Sequence, residues 1–318
     1  MTRTPAADHP ADLVVAVLTY RRTDLLLALL PRLLEQTGAL HRRAGVLVVD
    51  NDPEAGACAA VEAFAAGAGV GEVVYLHEPR PGIAAARNRA LQGAGAAELL
   101  VFIDDDEVPE PHWLELLVRT FEEHPGAAGV AGAVVSTFEA PLTPWVVAGG
   151  FFVRQRHRTG SPLPAAATNN LLLHMPPVRE LGLAFDERFG TSGGSDTLFT
   201  RQLTAAGHLL VWCDEAVVVD QVPAQRCTAS WVVRRALRSG NSWSRTSLAL
   251  TAGRAARTAT WTRLVARGAL RIGAGGARAA AGTLLRSPEH QARGVRTAVR
   301  GAGMVAGAVG GTYAEYRR

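Results

Sequence analysis

An α/β fold, a mostly parallel sheet flanked by helices and followed by a C-terminal helical extension, is what this chain predicts on three observations. Short apolar runs at Leu13 to Leu18, Val46 to Val49, Val73 to Leu76 and Leu99 to Ile103 alternate with helical stretches, as a doubly wound parallel sheet requires. Each run ends in polar residues, and the fourth ends in Asp104, Asp105, Asp106 and Glu107. Ligands of open α/β sheets bind at that carboxyl edge. The third observation is a break in charge: residues 231–318 hold 16 Arg against Glu289 and Glu315, or +14, and the remainder carries −10. The expected division is therefore 1–230 for the α/β domain and 231–318 for a basic, Arg/Ala/Gly-rich helical extension.

The elements follow in order. After the first run, Thr23 is expected to cap an apolar-rich helix from Asp24 to Leu34. The β-branched run ending in Asp50, Asn51, Asp52 and Pro53 precedes an Ala-rich helix, and Pro79 to Gly82 leads into a helix near Ile83 to Leu91. Leu99 to Ile103 is continuous and apolar, as suits a strand buried on both faces. Pro111 suits a first helical turn, with Leu114, Leu117, Val118 and Phe121 on one helical face. Ala131 to Val135 is a further ordered run, and Glu139 to Ala167, with Arg154, Arg156 and Arg158, reads as a long loop or insertion of the kind that forms lids and binding segments. Asn169 to Leu173 and Leu209 to Val219 read as strands, Val178 to Leu183 and Asp196 to Ala206 as helices.

Composition narrows the class. With 48% hydrophobic and 19% charged residues the chain folds around a core. No run reaches the length of a membrane-spanning segment, and the first apolar run is too short for a secretory signal, so a cytoplasmic protein is expected. Cys58, Cys213 and Cys227 have neither disulfide nor zinc spacing. No GxGxxG follows the first strand, and no GxxxxGK[ST] or GxSxG occurs, which disfavours a classical dinucleotide fold, a P-loop and an esterase elbow. Adjacent carboxylates at a strand end instead suit a cation or a metal-bound phosphate. Asp50 would accept hydrogen bonds from a base or ribose, and Arg87, one turn into its helix, would point at a diphosphate.

These residues carry a resemblance. Thr19-Tyr20-Arg21-Arg22, Val48-Val49-Asp50-Asn51, Gly82 with Ala86-Arg87-Asn88, and Phe102 to Asp106 before Pro109 and Trp113-Leu114 occur in the order and spacing of the family-2 glycosyltransferases of GT-A fold. Asn169-Asn170, Phe185 to Phe189 and Gly193 to Phe199 extend the similarity, which covers about residues 12–230. The resemblance implies an inverting transfer of a sugar from a nucleotide-diphosphate donor to an acceptor hydroxyl. It assigns Thr19, Tyr20, Arg21, Asp50, Arg87, Asp104 and Asp105 to the nucleotide. Asp104 and Asp106 form the family's DxD pattern, with Asp106 on Mg²⁺ or Mn²⁺ and Asp104 beside it. Asp220 stands where many relatives place a His near the metal and is a further candidate ligand. Asp196 matches the general base, and Ser195 replaces the Glu that usually precedes it.

The alternatives are weaker. Asp104-x-Asp106-x-Val108 also resembles an aspartyl phosphatase loop, but that motif belongs at a first strand, and this chain contains no lysine to neutralise a phosphoaspartate. A nucleotidyltransferase would leave the Asp196 segment unexplained. Ser195 keeps a nucleotide-sugar-binding protein without turnover in view, against which Asp106 and Asp196 stand. In the extension, Arg234, Arg235 and Arg238 lie near Trp231 and Trp243, and Arg263, Arg267, Arg271 and Arg278 punctuate a stretch with Trp261, Leu264, Leu270 and Ile272. Such basic amphipathic helices suit an anionic membrane surface, where lipid-linked acceptors reside. Expected partners are thus a nucleotide-sugar donor and a hydroxyl acceptor (glycan, lipid-linked or small molecule). For the extension the inner face of an anionic membrane is one reading, and because Ala and Gly give little apolar area, a solvated helical face or an oligomer contact accounts for the same pattern. Nucleic acid is not expected, because aromatics are few and no recognition motif is present.

Overall fold

The computed structural model describes residues 11–68, 72–190 and 193–312; the outer ends of both expected domains, 1–10 and 313–318, lie outside them. The elements are β1 (Leu13–Thr19), α1 (Thr23–Gly38), β2 (Ala44–Asp50), α2 (Cys58–Gly67), β3 (Val73–His77), α3 (Ile83–Gly93) and β4 (Leu99–Asp104). They continue with β5 (Glu107–Pro109), α4 (Trp113–Glu122), β6 (Ala127–Phe138), α5 (Pro144–Ala148), β7 (Asn170–His174), α6 (Met175–Glu180), α7 (Ser195–Ala205) and β8 (Leu209–Val222). Three helices close the described chain: α8 (Ala229–Ala249), α9 (Arg254–Leu284) and α10 (Pro288–Ala308).

One eight-stranded sheet runs β3-β2-β1-β4-β7-β6-β8-β5. β3, β2, β1 and β4 are parallel, and β7 joins β4 antiparallel. Alternation along the strands fills both faces. Leu13, Val15 and Val17 pack with Leu26, Leu30, Trp113 and Leu117 on one side, and Val14, Ala16 and Leu18 with Ala86, Ala90, Phe102 and Phe185 on the other. That explains the uninterrupted apolar runs: a period-two pattern disappears where neither face meets water.

Two local expectations change. α1 begins at Thr23 itself, and Arg22 takes the cap position without a side-chain cap, because a guanidinium has only donors and cannot accept from the first helical amides. Pro111 stays outside α4, where His112 turns the chain with a φ of 62° before Trp113 starts the helix. Within Glu139 to Ala167 a short helix, α5, forms after Thr143, whose hydroxyl accepts from the Val146 amide at 3.4 Å.

Residue packing divides the chain into two units. One runs to Val135 and takes in Arg156–Gly190 and Phe199–Asp220; the other holds Ser136–Gln155, Thr191–Leu198 and everything from Gln221. In the first, large side chains fill the two layers around the sheet. In the second, α10 lies against α8 and α9 along seams of glycine. Side chains there would meet backbone: a Cβ at Gly275 would lie 2.7 Å from the Gly294 carbonyl oxygen, and one at Gly301 2.6 Å from that of Gly268.

Candidate functional site

Parallel register brings the polar strand ends together. Thr19 pairs with Asp50 across β1 and β2, and Leu18 with Asp104 across β1 and β4, so the residues following each strand share one sheet edge. Thr19, buried, donates its hydroxyl to Asp105 Oδ2 at 2.8 Å. Arg22 donates Nη1 to Asp105 Oδ1 at 3.0 Å and to Asp106 Oδ2 at 2.7 Å. Burial raises the Asp105 carboxyl despite the pull of Arg22 and Thr19. Arg22 thus belongs to the site beside the residues expected there; its signal in the sequence is a second arginine directly after a strand whose neighbour ends in acids.

Asp50 is fully buried, and its carboxylate is already engaged by the chain. Oδ1 accepts from the Asp52 amide at 2.9 Å; Oδ2 accepts from the Ala57 amide at 2.9 Å and the Tyr75 hydroxyl at 3.0 Å. It shapes the turn after β2 from inside. Asn51 ties that turn to the next one: its amide donates to the carbonyls of Glu78 and Arg80 at 2.8 and 2.7 Å, and its oxygen accepts from the Gly82 amide at 3.1 Å. Gly82 has a φ of 115° immediately before α3, a conformation that a side chain resists. Arg21 donates to Asp52 at 3.2 Å, and its guanidinium lies 5.3 Å from the ring centre of the partly exposed Tyr20.

Asp104 is the electrostatic centre. Burial pushes its carboxyl up to about 7, against the pull of Arg87 and with Asp106, Asp105 and Asp220 adding to it. Arg87 also lies over Phe185 at 5.5 Å, in a stack that Phe185 continues with Phe199. Glu107, which reads in sequence as a mere flank, is buried: it accepts from the Asp104 amide at 3.2 Å and from the Asn169 side chain at 2.6 Å, and it pairs in register with Asp220. Asn170, the neighbour of Asn169, accepts from Trp113 Nε1 at 2.9 Å and donates to the carbonyls of Ala133 and Ala216.

Among the described residues, no three His, Cys, Asp or Glu side chains form a ready metal cage. The donor set nevertheless fits a divalent cation shared with a diphosphate. Such a cation needs only one or two protein carboxylates beside phosphate oxygens, and Asp104 and Asp106 are hard oxygen donors in a crowd of acids that a cation relieves.

Comparison with known proteins gives this edge a family. The profile described as Glycosyl transferase family 2 matches residues 14–182, which span β1 through α6. The succinoglycan biosynthesis protein ExoM of Rhizobium meliloti (strain 1021) is 33% identical over 232 residues, 73% of this chain and 74% of the relative. The chain belongs to glycosyl transferase family 2. A shorter match, 35% over 68 residues and 21% of each chain, links this glycosyltransferase to a glucosyl-dolichyl phosphate glucuronosyltransferase of Haloferax volcanii. In fold it is similar to the mannosyltransferase PcManGT from Pyrobaculum calidifontis, solved with GDP-Man and Mn²⁺, with a TM-score of 0.59 and 18% identity over 92% of this chain and 88% of that one. S. aureus TarS 1-349, solved with UDP, matches with a TM-score of 0.52 and 14% identity, covering 90% of each chain.

The remaining candidate of the glycosyltransferase lies in its second unit. Asp196 stands in the first turn of α7 and is partly exposed, and its Oδ1 accepts from the Thr197 amide at 2.7 Å. Ser195 is buried beside it. Gly193 and Gly194, with φ of 77° and 100°, deliver the chain into the helix, and the Ser242 hydroxyl of α8 donates to the Gly193 carbonyl at 3.3 Å.

Proposed function

We propose that this glycosyltransferase moves a sugar from a nucleotide-diphosphate sugar to an acceptor hydroxyl with inversion at the anomeric carbon. The observation that carries this reading is the acid set Asp104, Asp105 and Asp106 at the carboxyl edge of β4, organised by Thr19 and Arg22. GDP-Man and UDP, a nucleotide sugar and a nucleoside diphosphate bound in solved proteins of similar fold, support the donor class. The relationship to ExoM supports a glycan acceptor in polysaccharide biosynthesis.

In this reading Thr19, Tyr20, Arg21 and Asp50 shape the place for base and ribose. Asp50 acts through the turn that it holds, while Asp105 meets the ribose side. Arg87 orients the diphosphate. Asp106 and Asp104, with Asp220 as a further candidate ligand, would hold Mg²⁺ or Mn²⁺, which would supply charge neutralisation on the departing diphosphate. Asp196 takes the proton from the acceptor hydroxyl; the acceptor oxygen bonds to the anomeric carbon as the bond from that carbon to the phosphate oxygen breaks, and the nucleoside diphosphate leaves. The basic extension, 231–318, places the enzyme at the inner, cytoplasmic face of an anionic membrane.

The test is a panel of nucleotide-diphosphate sugars with Mn²⁺ or Mg²⁺, read as donor turnover and as calorimetric binding. One or more donors should bind and turn over, and Asp106→Ala should lower both. Binding without turnover for every acceptor would favour a sugar-nucleotide-binding protein, and failure of every nucleotide diphosphate to bind would remove the reading.

A further inference from the structure

The acid-free stretch around α8 and α9 is absorbed by none of the chemistry above. From Gln221 to Pro288 the chain contains no Asp or Glu. α9 runs 31 residues, about 46 Å at the α-helical rise. Gly268, Gly275 and Gly282 recur every seventh residue and are buried against α10. That seam spends Gly268, Gly275 and Gly282 on α10 and leaves several of the larger side chains of α9 outside.

Arg263, Arg267, Arg271, Arg278 and the C-cap Leu285 follow one another at four or seven residues, and Leu270 lies three after Arg267, a spacing that sets all six along one flank of α9 and its end. All six are exposed, Leu270 and Leu285 each at 72%, and Leu284 beside them at 84%. The flank reaches the neighbouring helix, since Arg271 abuts Gly301 of α10 and its charge acts on Arg300. Among the described residues, neither guanidinium makes a hydrogen bond or an ion pair. The next acid in sequence, Glu289, is engaged with Arg293 at 2.7 Å. Burial, Arg271 and Arg296 together lower the pKa of Arg300. Like charges crowded without an acid call for an external anion, and leucines set among them call for an apolar phase.

We infer that the α9 flank, continued by Arg300 of α10, is a docking surface for an anionic lipid bilayer, with α9 lying in the plane of the interface, its arginines on lipid phosphates and Leu270, Leu284 and Leu285 between the headgroups. A helix carrying arginine and leucine on its exposed side gains from both lipid charge and apolar insertion. A nucleic-acid backbone would reward the arginines and leave the leucines in water. No described helix is long and apolar enough to cross a membrane, so the surface holds the protein on the bilayer. This deepens the membrane-facing role proposed for the extension and names the face.

Flotation of the full chain with vesicles of phosphatidylcholine alone, and with one third phosphatidylglycerol, tests it without any sugar transfer. Binding should require the anionic lipid and weaken with salt. Arg263, Arg267, Arg271 and Arg278 changed together to Gln should weaken binding by about a hundredfold or more. Leu270, Leu284 and Leu285 changed to Ser should weaken it roughly tenfold, with the thermal unfolding midpoint held, because all seven side chains are exposed. Equal flotation with neutral vesicles, no flotation at all, or full flotation by both variants would overturn the inference. So would tighter capture of an RNA oligomer that the leucine variant leaves unchanged. Nucleotide binding measured on the same preparations separates the readings: lost flotation with intact nucleotide binding counts against this surface alone, and the converse counts against the donor site alone.

Discussion

The unit built on the sheet and the unit holding α8 to α10 solve the same packing problem with different residues. Around β1 and β4, Leu13, Val15, Leu30, Phe102 and Trp113 are withdrawn from water on two faces, and bulk side chains supply the cohesion. Between α9 and α10 glycines fill much of the buried seam, and the clustered core of the helical unit contains Leu248, Leu264, Met304 and Ala308. Close backbone approach replaces bulk, through many short contacts that are each weak. The comparison teaches that side chains freed from a core become available to the surface. The sheet unit sends its polar residues to one edge, whereas the helical unit sends arginine and leucine to the outside of α9.

The comparison extends to chemistry, and its largest expected effect is catalytic. If the sheet unit recognises the donor and Asp196 removes the acceptor proton, Asp196→Asn should lower turnover by about a hundred- to ten-thousand-fold and leave the nucleotide dissociation constant unchanged by calorimetry. Retained turnover would remove Asp196 from its role.

Next comes the seam. Gly275→Leu drives a side chain into the Gly294 carbonyl and the Ala298 amide and should cost about 3 kcal/mol. Hydrogen exchange should quicken in α9 and α10 and stay slow in β1 and β4; uniform quickening would deny the two units separate packing.

Within the sheet unit, Trp113→Phe removes the donor to Asn170 Oδ1 and should cost about 2 kcal/mol in denaturant unfolding, the penalty of a stranded buried acceptor. An unchanged midpoint would show that water takes the place of the indole.

The smallest effect is acidic. Burial would raise Glu78, but its bonds with Arg80 outweigh that and hold it below its ordinary 4.5. A carboxyl lowered by folding contributes stability above its unfolded pKa and loses it as pH falls through the folded one. The wild type should therefore lose about 0.5–1 kcal/mol relative to Glu78→Gln as pH falls below about 4.5, read from paired unfolding curves. Parallel curves would show no linkage.

Much of the sheet was legible because burial on both faces leaves a signal in consecutive residues. Leu13 to Leu18 and Leu99 to Ile103 appear as β1 and β4 with their ends nearly as expected. The acids at the β4 end were legible for the same reason, since a strand that stops being apolar marks an edge. Asp50 shows the limit. Its type and position suited a ligand, yet the Ala57 amide and the Tyr75 hydroxyl engage it from elements that lie apart from it in sequence. Arg22 and Glu107 were ordinary flanking charges until folding brought Asp105, Asp106 and Asn169 to them.

The basic charge of the extension was likewise a matter of composition, whereas its usable face was not. A heptad of glycines can be read from residues 268, 275 and 282, but only a partner helix decides that the glycine side is the covered one. The sequence alone determined the four parallel strands, where the acids of β4 fall and that the last helices are basic, because these depend on neighbours in the chain, whereas β5 forms only by pairing with β8. Tertiary structure decided which acids are already engaged, that Arg22 organises Asp105 and Asp106, and which flank of α9 is left to solvent. Those outcomes depend on groups far apart in sequence, whose hydrogen bonds and close approaches exist only once the backbone has folded.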